Sequence, residues 1–174
     1  MEIRTFDCLE STNLTAKQLA LEGAAHGTVI AADTQTGGKG RMGKSFFSPS
    51  GGIYMSIILR PNIAVNENNM ITVWGVRAVV RSIEKLYGIT PDVRGINDIL
   101  INGRKVCGIL TEAMIDTVSG NAEFIVLGIG INFQPVTFPE DIKDIAGALP
   151  VREDITREQL ITEISNNILS DIES

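Results

Sequence analysis

The sequence has little of what a metal enzyme, a secreted domain or a membrane protein needs. It holds one histidine, His26, and two cysteines, Cys8 and Cys107, far apart and without Cys-x-x-Cys spacing. One histidine argues against a multi-histidine metal site and against a triad built on a histidine base. Beside Gly27 it reads as a turn residue. The two cysteines read as free thiols of a reducing compartment, not as a disulfide framework or a zinc site. No apolar run reaches the roughly 20 residues of a membrane helix. Met1-Glu2-Ile3-Arg4 opens no signal-peptide pattern, so a cytoplasmic chain with no membrane partner is expected. Cations are outnumbered, 15 Lys and Arg against 21 Asp and Glu, for a net charge of -6. That balance makes a general nucleic-acid surface unexpected. No repeat, low-complexity segment or internal boundary divides the 174 residues. One domain, 1–174, long enough to bury a core, is the expectation.

Against this acidic background one cationic segment stands out, Gly37-Gly38-Lys39-Gly40-Arg41-Met42-Gly43-Lys44. Four glycines allow close backbone approach to a ligand, and three cations supply charge-assisted donors to an anion. The segment follows the strand pattern Thr28 to Thr34, a suitable place to hold a phosphorylated molecule. An ordinary solvated turn is the alternative for such a loop taken alone.

The rest of the chain reads as alternating short elements. A first strand spans Glu2 to Leu9, and Ser11 or Thr12 caps a helix to about Glu22. Ile53 to Leu59 is a strongly apolar strand stopped by Pro61. A helix from about Asn69 to Tyr87 is closed by Gly88. Strands follow around Asp92-Val93-Arg94 and Ile99-Leu100-Ile101, with Asn102-Gly103 predicting a type I′ hairpin into Val106 to Ala113. Phe124 to Ile131 extends the meander. Thr156-Arg157-Glu158-Gln159 has capping-box form and opens an amphipathic helix bearing Leu160, Ile164, Ile168 and Ile172. The expected fold is α+β, a mixed, largely antiparallel central sheet with helices packed mainly on one face.

Polar clusters stand where strands should end: Ser11-Thr12-Asn13, Gln35 with the glycine-rich loop, Asn97-Asp98, Lys105 with Gly108, and Gly128-x-Gly130-x-Asn132. Strand ends and their loops carry reactive groups in many scaffolds. Each cluster has a plainer reading: Ser11 as a helix cap, Asn97-Asp98 as turn chemistry, Lys105 as an edge-strand lysine, the two glycines as close strand packing.

In this order and spacing the clusters resemble the catalytic core of biotin protein ligases, within the biotin and lipoate ligase superfamily. The motifs are Ser11-Thr12-Asn13, Gln35 through Pro49, Asn97-Asp98, Lys105-Val106-Cys107-Gly108-Ile109-Leu110 and Gly128 through Asn132, covering about Ile3 to Phe133. The resemblance implies a fold like that of class II aminoacyl-tRNA synthetases and ATP-dependent transfer of biotin, by way of biotinyl-5′-AMP, to a lysine of a biotin carboxyl carrier protein. It implies biotin, ATP and Mg²⁺ as the small molecules. Lys105, Arg41 and Lys39 are the implied catalytic cations. Ser11, Thr12, Asn13, Gln35, Gly38, Lys39, Arg41, Phe46, Lys105 and Gly108 are the implied biotin contacts. Arg41, Lys44, Arg94, Asn97, Asp98 and Asn132 are implied on the nucleotide side, with Asp98 as the candidate Mg²⁺ ligand.

The pattern departs from the family at Arg94-Gly95-Ile96-Asn97-Asp98, where Lys-Trp-Pro-Asn-Asp or Lys-Trp-Val-Asn-Asp is usual. Glycine for tryptophan deletes a large side chain beside the nucleotide, and Trp74 is a candidate to compensate. Two modules that some members of that family carry, an N-terminal helix-turn-helix and a small C-terminal β-barrel, are expected to be absent from this sequence. A lipoate or other acyl-carrier ligase and a catalytically silent biotin-binding domain stay open beside the leading reading. So does pairing of two copies through the strands from Val93 to Leu110.

Overall fold

Seven strands build one sheet in the computed structural model, which describes residues 1–61 and 68–174. The strands are β1 (Ile3–Leu9), β2 (Val29–Gln35), β3 (Ile53–Leu59), β4 (Asp92–Arg94), β5 (Asp98–Ile101), β6 (Arg104–Ile115) and β7 (Ala122–Ile131). The helices are α1 (Thr12–Leu21), α2 (Asn68–Tyr87) and α3 (Arg157–Glu173). The strand order is β1-β2-β3-β7-β6-β5-β4, parallel only between β1 and β2. That parallel pair is joined through α1, as a crossover requires.

Helices cover the sheet unequally. On β3 the odd residues Ile53, Met55, Ile57 and Leu59 enter the main core with α2 and α3, while Ile58 joins a smaller cluster with Ala16 and Ala20 of α1. Alternation along a strand sends neighbours to opposite faces, so β3 must be apolar on both. All seven of its residues are buried. The expectation of an α+β sheet with helices mainly on one face holds: two helices on one side, α1 on the other.

Local signals act where expected. Ser11 caps α1, its Oγ accepting from Leu14 N at 3.4 Å. Thr156 and Gln159 complete a capping box at α3. Asn102 and Gly103 both take positive φ, 51° and 74°, as a type I′ turn demands. His26 is a turn residue, its Nδ1 accepting from Arg60 N. Among the described residues no helix is long and apolar enough to cross a membrane.

The register sets out the floor of a site. Tyr54 of β3, Gly130 of β7, Gly108 of β6 and Asp98 of β5 are successive cross-strand partners. The next row on the same face is Ser56, Gly128 and Leu110. Three glycines in two adjoining rows remove side chains from the sheet surface and leave a depression under the N-terminus of α1 and the glycine-rich loop.

Candidate active site

Close packing, not open space, explains two of those glycines. Neither takes a positive φ. A Cβ on Gly128 would lie 2.1 Å from Asn13 Oδ1, and one on Gly130 would lie 2.5 Å from the Phe46 ring. Gly108 borders the Lys105 ammonium and Phe46, its Cβ position 3.1 and 3.2 Å from them. Asn13 and Phe46 therefore rest in the room that the glycines provide.

The glycine-rich loop folds back on itself. Phe46 N donates to the Gly38 carbonyl at 2.9 Å and Gly40 N to the Lys44 carbonyl at 2.7 Å. Arg41 to Gly43 form a single tight turn, with Met42 at φ 57° and almost fully exposed. Gly38 is needed for contact: a Cβ there would meet the Phe46 carbonyl and Ser48 Oγ at 2.5 Å. One side-chain hydrogen bond ties the loop across the site, from Arg41 Nη1 to Asn97 Oδ1 at 3.1 Å.

Two adjoining cavities result. The inner one, about 50 Å³, is lined by Ser11, Thr12, Asn13 and Gln35 with the glycine rows beneath. The outer one, about 380 Å³, is lined by Lys44, Arg94, Asp98, Asn132 and the apolar Phe47, Phe138 and Ile142. The outer volume lies within the usual range for small-molecule sites. Gly40, Arg41, Phe46, Asn97 and Lys105 line both and form the partition. Lys39 lines the inner cavity.

Polar side chains in the inner recess are held by partners. Thr12 N donates to Gln35 Oε1 at 2.8 Å, and Gln35 Nε2 donates to Ser48 Oγ at 2.9 Å. Asn13 Nδ2 donates to Glu112 Oε2 at 2.8 Å. Ser56 Oγ stands 2.6 Å from Asn13 Oδ1 and 2.8 Å from Thr12 Oγ1. Burial pushes the Glu112 carboxyl upward, but hydrogen bonds from Lys17 and Asn13 and the Lys17 and Lys39 charges outweigh it and hold the group below its usual range.

The partition carries the charge. Lys105 Nζ is 2.9 Å from Asp98 Oδ1 and 5.8 Å from the centre of the Phe46 ring. Arg94 Nη2 lies 3.3 Å from Asp98 Oδ2. Both Asp98 oxygens thus face cations, and among the described residues no group of three or more His, Cys, Asp or Glu side chains could hold a metal ion. The chain's own donors do not fit a protein-built Mg²⁺ site at Asp98. Asn132 Nδ2 donates to the Gly147 carbonyl at 2.8 Å, so its nitrogen braces the segment beside Lys105 and only its oxygen is free for a ligand. Cys107 is fully buried, and burial pushes its thiol well above the usual range, which removes it as a nucleophile.

The structure therefore brings the expected residues to one place. It also shows three that the motifs did not reveal, Lys17, Ser56 and Glu112, and gives a partner to Ser48, which lies within the Gln35 to Pro49 motif. Ser56 had a signal, a lone polar residue inside a seven-residue apolar strand. Glu112 had one too, two positions beyond Leu110 on the face that bears Gly108. Trp74 packs on the main core and lines neither cavity, so it does not replace the family tryptophan at Gly95. Gly95 sits at φ 63° in the turn between β4 and β5, where a larger residue would be strained.

Comparison with known proteins agrees with this geometry. The model of the Biotin/lipoate A/B protein ligase family matches residues 5–132. The Bifunctional ligase/repressor BirA of Bacillus subtilis is 44% identical over 144 residues, 82% of this chain and 44% of that protein. The Biotin--[acetyl-CoA-carboxylase] ligase of Mycobacterium tuberculosis is 29% identical over 172 residues, 91% of this chain and 61% of that protein. The chain thus spans about half the length of the relatives it matches. The biotin protein ligase of Aquifex aeolicus, solved in complex with biotin and ATP, superposes with a TM-score of 0.81 at 27% identity, covering 99% of this chain and 70% of that one.

Proposed function

The chain belongs to the biotin/lipoate A/B protein ligase family, and from that premise we propose that it is an ATP-dependent biotin protein ligase. The reaction has two steps. A biotin carboxylate oxygen attacks the α-phosphorus of ATP, and pyrophosphate leaves with the electrons of the broken P–O bond. The amine of a carrier-domain lysine then attacks the anhydride carbonyl, loses a proton and expels AMP.

The observation that supports this reading is the partition. A polar recess and a larger cavity meet along a wall that includes Lys105, Arg41 and Asn97. Two anions joined across that wall repel one another, and fixed cations must offset the repulsion. In this reading Lys105 leaves Asp98 for the carboxylate and the α-phosphoryl oxygens, where charge builds in the transition state. Arg41 and Lys39 add donors from the loop. Ser11, Thr12 and Gln35 serve the ureido head, and Phe46 covers the apolar body. Lys44, Arg94, Asn97 and the Asn132 oxygen face the nucleotide. The loop shields the anhydride from water until the carrier lysine arrives. Mg²⁺, where it accompanies ATP, would supply charge neutralisation to the phosphates beside that of Lys105, Arg41 and Lys39.

Calorimetry with biotin, lipoate and ATP tests the reading, followed by pyrophosphate release and transfer to a biotin carboxyl carrier domain. Biotin binding with ATP-dependent pyrophosphate release is expected. Preference for lipoate would make the chain an acyl-carrier ligase of the other kind. Tight biotin binding without pyrophosphate release would make it a silent binder.

A further inference from the structure

Asn13 has an orientation that its surroundings force. Its nitrogen faces the Glu112 carboxylate at 2.8 Å and the Leu110 carbonyl at 3.4 Å. Both of those groups only accept, so the amide NH₂ must point at them. Oδ1 is thereby turned to Ser56 Oγ, 2.6 Å away. The Ser56 hydroxyl has one proton, and since Asn13 Oδ1 has none to give, the proton lies between them. Ser56 Oγ also stands 2.8 Å from Thr12 Oγ1. With the serine proton committed to Asn13, that contact is attractive only if Thr12 supplies its own. The Thr12 oxygen is left with lone pairs, and no proton, for the recess it lines.

The other wall is fixed in the same way. The Thr12 backbone N–H can only donate, so it holds Gln35 by Oε1 and turns the amide nitrogen toward Ser48. Ser48 spends its proton on the Phe46 carbonyl at 2.8 Å and so accepts from Gln35. One Gln35 amide proton is used, and the second has no acceptor among the described residues. These two walls therefore present one acceptor, at Thr12, and one donor, at Gln35, beside the Ser11 hydroxyl.

We propose that Glu112, clamped by Lys17, is a positioning residue that sets the hydrogen-bond polarity of the recess through Asn13, Ser56 and Thr12, and so selects a cyclic urea, N–H beside C=O, over head groups of like shape that lack the N–H. The proposal deepens the biotin ligase reading and rests on it. Glu112 lines neither cavity, so it acts on the recess through Asn13. Lys17 Nζ lies 2.8 Å from Glu112 Oε1, and the two side chains are each about one-third exposed, which anchors the relay at the protein surface. A neutral amide at this position breaks the determinism. It can offer its own NH₂ to Asn13, turn that amide over and reverse each bond down to Thr12, which would then donate into the recess.

The test is calorimetry on the full chain with two probes: biotin, and its carbonate analogue in which ring oxygens replace both ureido N–H groups. ATP affinity serves as the control for folding. The wild type is expected to prefer biotin by about 100-fold, the cost of leaving a buried acceptor unpaired. Glu112→Gln is expected to cut that ratio to within about 10-fold while ATP binding is unchanged. Ser56→Ala, which deletes the hydroxyl at a buried site, breaks the same relay one step later and should lower the ratio likewise. A ratio that stays at the wild-type value in both variants, even if both affinities fall together, overturns the relay alone. A wild-type chain that binds no biotin overturns the ligase reading and the relay with it.

Discussion

The Lys105 ammonium stands 2.9 Å from Asp98 Oδ1, reaching from β6 to the neighbouring strand β5. The contact is charge to charge rather than an aligned hydrogen bond, since that carboxylate oxygen is buried without a hydrogen-bond partner. Asp98 thus keeps the cation aimed at the partition without consuming all its donors. Lys105→Ala should lower the rate of pyrophosphate release by about 100-fold or more, the scale for losing a preorganised donor to a developing oxyanion. Its cost to folding should be small, because Arg94 still faces Asp98 and the lysine side chain is 32% exposed. Single-turnover kinetics beside a denaturant titration separates the two. A near-normal rate would remove Lys105 from the chemistry.

Arg41 is expected to matter for retention more than for the fold. Its bond to Asn97 is the one side-chain hydrogen bond, among the described residues, that ties the loop across the partition. Arg41→Gly removes it together with the donor that the proposed function assigns to phosphate. The variant should release biotinyl-5′-AMP faster, by about 10-fold or more, for a loss of about 1.5–3 kcal/mol of charged hydrogen bonding. Trapping the released intermediate with hydroxylamine measures this. Retention equal to the wild type would argue that the loop does not close through Arg41.

Much of this fold is legible in the sequence, and the reason is local. Apolar β3, the Asn102-Gly103 turn and the Thr156 capping box are each specified by neighbouring residues, so pattern and structure agree. Candidate site residues on loops were legible for a different reason: their order and spacing along the chain resemble a known family, whereas the glycine-rich loop taken alone also allows an ordinary turn. The support beneath them was not legible. Glu112 meets Asn13 across a separation of 99 residues, and Ser56 meets it across 43. No short-range spacing encodes such a contact; it arises from strand register. The same register shows that Gly128 and Gly130 seat Asn13 and Phe46, whereas the sequence offers a Gly-x-Gly-x-Asn motif or close strand packing for the pair.

Those glycines give a paired prediction. Gly128→Ala drives a methyl into Asn13 Oδ1, the atom that orients Ser56. Gly130→Ala drives one into the Phe46 ring. Overpacking of this kind costs about 1–3 kcal/mol. Both variants should unfold earlier in denaturant. Only Gly128→Ala should also erase the preference for biotin over its carbonate analogue, because only it reaches the polar relay. Equal loss of preference in both would show that Phe46, not Asn13, governs the recess.

The two thiols should behave as opposites. Cys8 is exposed on β1, while Cys107 is buried and its thiol is held protonated. The native chain should titrate one rapid thiol with a disulfide reagent and two after unfolding. Cys107→Ala should retain ligation, with a stability loss of about 1–2 kcal/mol for the small cavity. Loss of ligation at full stability would reopen a role for the thiol.

Glu112 supplies a pH dependence whose sign is fixed by its partners. Its carboxyl lies below the ordinary value of 4.5 in the folded chain, so folding favours the ionised form. Its contribution to stability is complete above that ordinary value and is lost as pH falls through the lower folded value. The gap in unfolding free energy between the wild type and Glu112→Gln should therefore be constant from neutral pH down to about 5 and shrink below that. Its size should stay below about 1 kcal/mol, because water screens a pair that is one-third exposed. Denaturant midpoints of both chains between pH 3 and pH 7, taken near ~0.1 M salt, provide the measurement. A gap that widened toward acid would mean that burial, not Lys17 and Asn13, governs the carboxyl, and the clamp on Asn13 would lose its charge where the recess needs it.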